Sequence, residues 1–599
     1  MFIIKRIKWK RLSVPLIITT IVSVVFCLPI LRNITYWGQM DWDEVFFWGG
    51  VARKTILEYH QFPLWNPYCQ GEGALVFIAY PNSYFLSPFF LFILIFGPVF
   101  GAKLLVIIHL IIGLWGMFLL ARYYNIGKVS SWLASFIYML SSIYFLHLTE
   151  GHFGWLTMAF VPWFFLTCLK SLKDSKYIFA AVFFLSLILL GGSVDVFSII
   201  IPFVVIFSFF LMLQERKIGI FKKVLLIFIV TFLACSVKLL PMLEYLSQYP
   251  RLVDSAEGTA PSLLSAILLE REQGRLYSET KWHYSENKTA VGEKLGIDYG
   301  WHEYGAYIGI IPLILFGLGM LALFRRQWPL LATGGIFLLL ALGNKSPINL
   351  WRLLHSLPLY DCLRVPSRFI IGFIFPLSLF AGFGLSILER KGNLLLNILV
   401  IFTTGFILFD LWQVSGSILK QAFTIPPPVE VKKNPVFSQY RDFDEHTYKY
   451  GMRGGRYLAF LANKGVAKEL YGDIPVPQGE VMTKDDVNYK GEAYLAGDNG
   501  NTSISYFSPN KIVVDVKVKK QDILVLNQKY YRGWRIKGNK KMKLEPYNGL
   551  ISAKLFPGEY RLIFYYLPFS FIIGIIISFS TIVTILNLWR KFLKKEQKT

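Results

Sequence analysis

The sequence predicts a polytopic α-helical membrane protein of about twelve spans, with a small β-rich module near its C-terminus, on three observations. The 599 residues are 54% hydrophobic and only 17% charged, with mean hydropathy +0.48, whereas soluble domains carry about 25% charged residues. Apolar runs recur from the first residues almost to the last. Lys and Arg gather in short segments that fall between every second pair of those runs. Together these exclude a soluble enzyme, a disordered chain, collagen and a coiled coil.

The basic start, Lys5 to Arg11, precedes an apolar stretch reaching about Leu31. That stretch is too long for a signal peptide and lacks a small-residue cleavage site, so it reads as a retained first helix. Further runs fall near 102–121, 130–146, 155–169, 178–192, 194–213, 222–240, 306–324, 328–343, 369–388, 394–413 and 568–589. The run near 83–97 is short, carries Pro88 and ends at Gly97-Pro98, which suits an interfacial or re-entrant segment better than a crossing.

With that run left out, segments 1–13, 122–128, 170–177, 214–223, 325–327, 389–393 and 590–599 share one side. They hold 23 Lys or Arg against Asp174, Glu215, Glu389 and Glu596, a net +19 of the chain's +24. Short loops this basic belong in the cytoplasm, and the opposite loops near 147–154 and 191–195 have no Lys or Arg. The basic charge therefore reports topology and not nucleic-acid binding, because it is spread over helix ends and forms no single face. Both termini are expected in the cytoplasm of a plasma-membrane protein.

The division that follows is a transmembrane domain over 1–413 with outer loops 32–82, 241–305 and 344–368. A β-rich outer domain covers 414–567, and a last helix with a basic tail covers 568–599. Lys511 to Val518 alternates, Asn548-Gly549 is a turn signal, and Glu559 to Phe564 reads as strand. Cys27, Cys168 and Cys235 lie in apolar runs, leaving Cys69 and Cys362 as the one plausible outer disulfide pair. No C-x-x-C points to zinc or redox work.

Asp41-Trp42-Asp43-Glu44 sets three carboxylates among large apolar residues at the expected membrane surface. Partial desolvation raises a carboxyl's proton affinity, which suits a general base; a hydrated loop that merely begins with acids is the plainer alternative. From Asp43-Glu44 the chain continues through Ala52-Arg53, Phe62-Pro63-Leu64-Trp65-Asn66-Pro67-Tyr68, Gly71-Glu72-Gly73 and Tyr80-Pro81-Asn82. This order, with Gly151-His152, Leu363 to Phe369 and Tyr530-Tyr531-Arg532-Gly533-Trp534, resembles the bacterial YfhO-like membrane proteins of the GT-C glycosyltransferase superfamily. The resemblance implies transfer of a sugar from a polyprenyl-phosphate donor to an outer acceptor, with inversion. The acceptor would be a cell-envelope glycan, lipid or protein. It also implies Asp43 as the base and Glu44 as orienting the acceptor or helping to bind a cation. Asp41 is the rival for the base.

His147, Thr149, Glu150 and His152 sit at one junction between apolar helices. A carboxylate and two imidazoles can ligate a divalent metal, though the spacing matches no closed zinc pattern. Binding a sugar, orienting a base or capping helices fits equally. Asp195 lies at a membrane-level turn, where an unpaired charge is expensive. Arg364 and Arg368 flank Val365-Pro366 immediately outside the tenth span, 369–388, and can hold the leaving phosphate; anchoring to headgroups is the alternative. Lys238 is a weaker candidate because interfacial lysines snorkel. His302-Glu303 can enter the same cavity or serve a helix start, and His109 reads as an interior histidine. The competing functions are a transporter or lipid flippase, and a non-catalytic envelope scaffold.

Overall fold

A computed structural model describes residues 9–71, 73–251, 253, 257–283, 287–442, 455–467, 475–538 and 542–598. Each of the twelve expected apolar runs falls on a helix. Among the described residues, eight helices are long and apolar enough to cross a bilayer, by length and composition. Gly219–Ala234 and Ser236–Gln248 form a pair bent by 82° at Cys235, and Val14–Phe26 and Tyr177–Leu190 are shorter. The doubtful run yields only the seven-residue helix Phe90–Phe96. Gly97, at φ +80°, breaks it there, and Pro98 starts the next helix where a missing N–H costs nothing.

The long helix Ile310–Ala341 is interrupted at Gln327 (φ −120°, ψ 22°). Gly319 lies against the Phe380 carbonyl and Gly334 against Pro376. Fifteen helical residues would span about 22 Å if straight, but four span about 6 Å, so the two limbs double back along Ile371–Glu389. The turn at Arg325-Arg326-Gln327 thus separates the two runs that the sequence divides there.

The polar ends are capped from within the chain. Ser193 accepts the Val196 N–H at 3.2 Å and Asn393 accepts the Leu395 N–H at 2.9 Å. Glu389, at the far end of Ile371–Glu389, accepts the N–H groups of Val129 and Ser130 and so caps Lys128–Leu140. Lys238 does not snorkel. It is buried and its ammonium donates to the Ser83 and Leu189 carbonyls at 2.8 and 3.2 Å, anchoring the bend of the broken pair.

The helix Leu394–Leu419 runs past residue 413, so the β-rich module starts after it. Its strands are β1 (Ser438–Tyr440), β2 (Lys464–Val466), β3 (Ala493–Leu495), β4 (Gly500–Ser508), β5 (Lys511–Val518), β6 (Asp522–Lys529), β7 (Trp534–Lys537), β8 (Leu550–Leu555) and β9 (Gly558–Tyr566). An antiparallel sheet of order β4-β5-β9-β7 and one of order β3-β6-β8 share an apolar core that includes Val514, Leu524, Ile551 and Phe564. β1 and β2 pair in parallel.

The loop near 58–80 is built into this module. Trp65 donates its indole N–H to Gln528 at 2.8 Å and its backbone N–H to Asn510 at 3.0 Å, and its ring meets Trp534 edge-on at 5.2 Å. Gln70 accepts the Lys529 N–H at 3.0 Å. The final helix, Phe569–Lys598, returns to the bundle, where Ser578 accepts the Val237 N–H at 2.9 Å. All five cysteines are thiols, so the Cys69–Cys362 disulfide is not formed; Cys69 is buried beneath the module.

Candidate functional site

One end of several spans converges on one polar cluster, and a glycine sets its geometry. Gly151 terminates the helix Ser142–Glu150 at φ +99°, and a Cβ there would lie 2.3 Å from the Trp42 nitrogen. Only glycine accepts both the angle and the approach. The close pass lets the Asp41 N–H reach the Glu150 carbonyl at 2.9 Å and the Trp42 indole reach the Leu148 carbonyl at 2.8 Å. The first loop is thereby fastened to the second.

Asp41 Oδ2 then lies 3.6 Å from His152 Nε2, and His152 Nδ1 lies 2.7 Å from His147 Nδ1. The His147 ring is stacked on Trp155 at 3.6 Å. Behind them, His302 sits between Glu150 (3.5 Å) and Glu303 (3.5 Å), and the Tyr277 hydroxyl donates to Glu150 at 2.9 Å. Arg368 donates from Nε and Nη2 to the two oxygens of Glu303 at 2.6 and 2.5 Å, and from Nη1 to Asp195 at 2.7 Å. Such bidentate, charge-assisted bonds fix orientation as well as charge.

Accessibility sorts these groups. Asp41 (25%), Asp195 (32%), Arg368 (16%) and His152 (15%) keep part of their side chains exposed, whereas Glu150, His302 and Glu303 are buried. The first set is therefore open to solvent, and the second packs behind it and supports it. Burial holds His152 well below the ordinary histidine range, with Glu303 pulling against it, so its imidazole is neutral. Burial also opposes charge on His302, yet Glu150 and Glu303 outweigh it and raise its proton affinity. Burial works against the Glu303 carboxylate, but the Arg368 guanidinium keeps it ionised, well below the usual range.

Of the residues expected to act, Glu150, His152, Asp195 and Arg368 meet here. Arg364 places its guanidinium over the Tyr299 ring at 5.5 Å, and its charge is felt at His152. Asp43 and Glu44 point elsewhere. Asp43 is fully buried and accepts the N–H groups of Arg456 (2.8 Å) and Tyr457 (3.1 Å), closing the start of the helix Arg456–Leu461. Glu44 pairs with Arg456 at 2.5 Å. The Asp-Glu pair is thus a joint to the C-terminal module, and Asp41 is the part-exposed carboxylate beside His152.

Three groups enter without a sequence signal: Tyr277, Trp155 and Glu257. Glu257 is buried beside the Tyr304 hydroxyl and close enough to Glu303 for their charges to interact; burial pushes it up to about 8. Asp410 is a carboxylate inside an apolar span, held by Arg271 at 2.7 Å and the Tyr307 hydroxyl at 2.6 Å.

Among the described residues, His147, His152 and Glu303 place one ligand atom each within 4.8 Å of one another. Two imidazoles and a carboxylate suit a divalent transition metal, and the buried His147 Nε2 has no hydrogen-bond partner among the described residues.

No family model and no curated protein matches the chain. Solved structures do. One is the Archaeoglobus fulgidus oligosaccharyltransferase AglB in complex with an inhibitory peptide and a dolichol-phosphate: 13% identity, TM-score 0.42, covering 77% of this chain and 65% of that one. This chain thus spans less than two thirds of that protein's length. Another is ArnT from Cupriavidus metallidurans bound to undecaprenyl phosphate: 11% identity, TM-score 0.37, covering 75% and 85%. At identities and TM-scores this low, neither assigns an activity to this chain.

Proposed function

We propose that this multi-pass membrane protein is an inverting glycosyltransferase that moves a sugar from a polyprenyl-phosphate donor to an acceptor hydroxyl, at the end of the bundle that carries the histidines. The cation asymmetry of the loops supports placing that end outside the cell. The observation that carries the reading is Asp41 and His152, part-exposed and 3.6 Å apart, resting on a buried lattice of charge that also orients Arg368.

Transfer from a phosphate ester needs a base on the acceptor side and positive charge on the leaving side. Asp41 takes the acceptor proton as the hydroxyl oxygen attacks the anomeric carbon, and neutral His152 orients Asp41. The bond from that carbon to the phosphate oxygen breaks on the opposite face, and its electron pair leaves with the carrier. A guanidinium has five N–H donors. Arg368 spends three of them on Glu303 and Asp195, leaving two for the phosphate oxygens, and Arg364 adds a second cation. A divalent ion held by His147, His152 and Glu303 would supply Lewis-acid stabilisation of the departing phosphate. Asp43 and Glu44 take no part in this scheme and hold the module in place. The acceptor class is a cell-envelope glycan, lipid or protein.

The test is consumption of radiolabelled polyprenyl-phosphate sugars by the purified protein in lipid nanodiscs. Wild type should release carrier phosphate when an envelope acceptor fraction is added, and Asp41→Asn should not. Equal turnover by the variant, or no turnover of any such donor by wild type, would remove the proposal.

A further inference from the structure

Three spans that reach the histidine cluster have their other ends around a cavity of about 380 Å³. Lys128–Glu150 starts near it, and Phe153–Lys173 and the 24-residue Pro366–Glu389 finish at it. At 1.5 Å per residue, about 35 Å of helix separates the cavity from the cluster. It is therefore a different site, at the opposite end of the bundle. Its volume falls within the range of small-ligand pockets, roughly 300–1,000 Å³.

Lys173, Arg326 and Arg390 supply its charge, and Tyr124, Phe383 and Ile387 its apolar wall. Among the described residues, no carboxylate pairs with these cations. Arg390 donates to the Asn125 carbonyl at 2.6 Å, Lys173 lies 5.6 Å from the Tyr123 ring centre, and the Arg326 guanidinium has no partner among the described residues. The nearby carboxylates are committed elsewhere. Glu389 accepts from the Val129 N–H (3.1 Å), the Ser130 N–H (3.0 Å) and the Ser130 hydroxyl (2.7 Å), and Asp174 pairs with Lys176 at 3.0 Å.

Exposed cations at helix ends are ordinary membrane anchors. Here, however, they rim an open volume whose wall includes Leu323 and Ile387, and Ile387 is 40% exposed at the bundle surface. A free anion would use the charge and leave the apolar wall wet. A lipid uses both. Basic pockets between membrane helices are suited to anionic headgroups.

We propose that this cavity binds the phosphate-bearing headgroup of an anionic membrane lipid, with Lys173, Arg326 and Arg390 on the phosphate and the acyl chains leaving along Leu323 and Ile387. The inference does not depend on the transfer reaction. It is tested on delipidated full-length protein by thermal unfolding and native mass spectrometry. The probes are dioleoylphosphatidylglycerol, dioleoylphosphatidylcholine with the same chains, and inorganic phosphate. Phosphatidylglycerol should raise the unfolding temperature and remain bound, while the other two should do neither. Combined Lys173→Gln, Arg326→Gln and Arg390→Gln should weaken phosphatidylglycerol binding roughly 100-fold and leave the lipid-free unfolding temperature unchanged. If the triple variant does not fold, Arg326→Gln alone should weaken binding about 5-fold. Equal phosphatidylglycerol binding by wild type and variant, or none by wild type, overturns the proposal. So does a shift reproduced by inorganic phosphate alone, which would mark a soluble-anion site.

Discussion

Asp41→Asn and Asp43→Asn should fail in different ways, and the structure fixes by how much. Asp43 accepts two backbone N–H groups at 2.8 and 3.1 Å in a site with no solvent access. An amide offers one oxygen where the carboxylate offers two, so one of those N–H groups would face an NH2. The N–H left without an acceptor costs about 1–3 kcal/mol, which should appear as a lower unfolding temperature and faster proteolysis of the C-terminal module. Asp41 is part-exposed, so its amide variant should unfold like wild type while losing about 10²- to 10⁴-fold in turnover.

The pH dependence adds a signature. Burial pushes Asp43 up to about 7, against the Arg456 and Tyr457 N–H groups and the Arg456 charge. The folded chain then holds this proton more tightly than the unfolded chain does. The resulting stabilisation is complete below an ordinary carboxylate value of about 4 and is lost as pH rises through about 7. Wild type should therefore lose stability between pH 5 and 8 more steeply than Asp43→Asn. The assay is thermal unfolding in detergent across that range, run beside donor consumption. An Asp43→Asn protein that unfolds like wild type at every pH yet has no turnover would refute the division of roles.

Glu303→Gln leaves Arg368 with Asp195 alone in a largely buried site, and breaking a buried pair costs about 3–5 kcal/mol; denaturant unfolding measures it. Gly151→Ala sets a Cβ 2.3 Å from the Trp42 nitrogen and 2.6 Å from the Asp41 carbonyl carbon. A displacement near 1 Å at Asp41 should lower turnover about 100-fold. Glu257, pushed up to about 8 by burial, is mostly protonated at pH 7. Glu257→Gln should therefore match wild type in thermal unfolding near pH 4 and increasingly exceed it as pH rises to 9, where wild type has lost the stabilisation of the bound proton. Chelation with EDTA should lower turnover, added Mn²⁺ should restore it, and His147→Ala should respond to neither.

What the sequence makes legible is whatever its own neighbours decide. Apolar runs fix where helices lie, and the double run over 306–343 with Arg325-Arg326-Gln327 between its halves reads as two limbs before any coordinates. The Glu150-Gly151-His152 junction, Asp195 and Arg368 are likewise marked by polarity at span ends. Asp43 shows the limit. A carboxylate among aromatics at a membrane surface looks the same whether it meets a substrate or caps a helix 413 positions later. Nothing local separates it from Asp41, because Gly151 and Arg456 decide between them. Glu257 and Tyr277 lie in a polar stretch without periodicity, so their burial follows from tertiary packing alone.

The Trp65 contacts also set a timetable. The indole is made early, yet Gln528, which receives its N–H, is 463 positions further on. At about 5–20 residues per second, ribosomes need roughly 20–90 s to supply that partner. During this interval the Trp65 indole lacks the Gln528 acceptor that it has in the folded chain. Chains cut short before Gln528 would lack that acceptor permanently, so quality control could recognise unfinished copies by this one stretch.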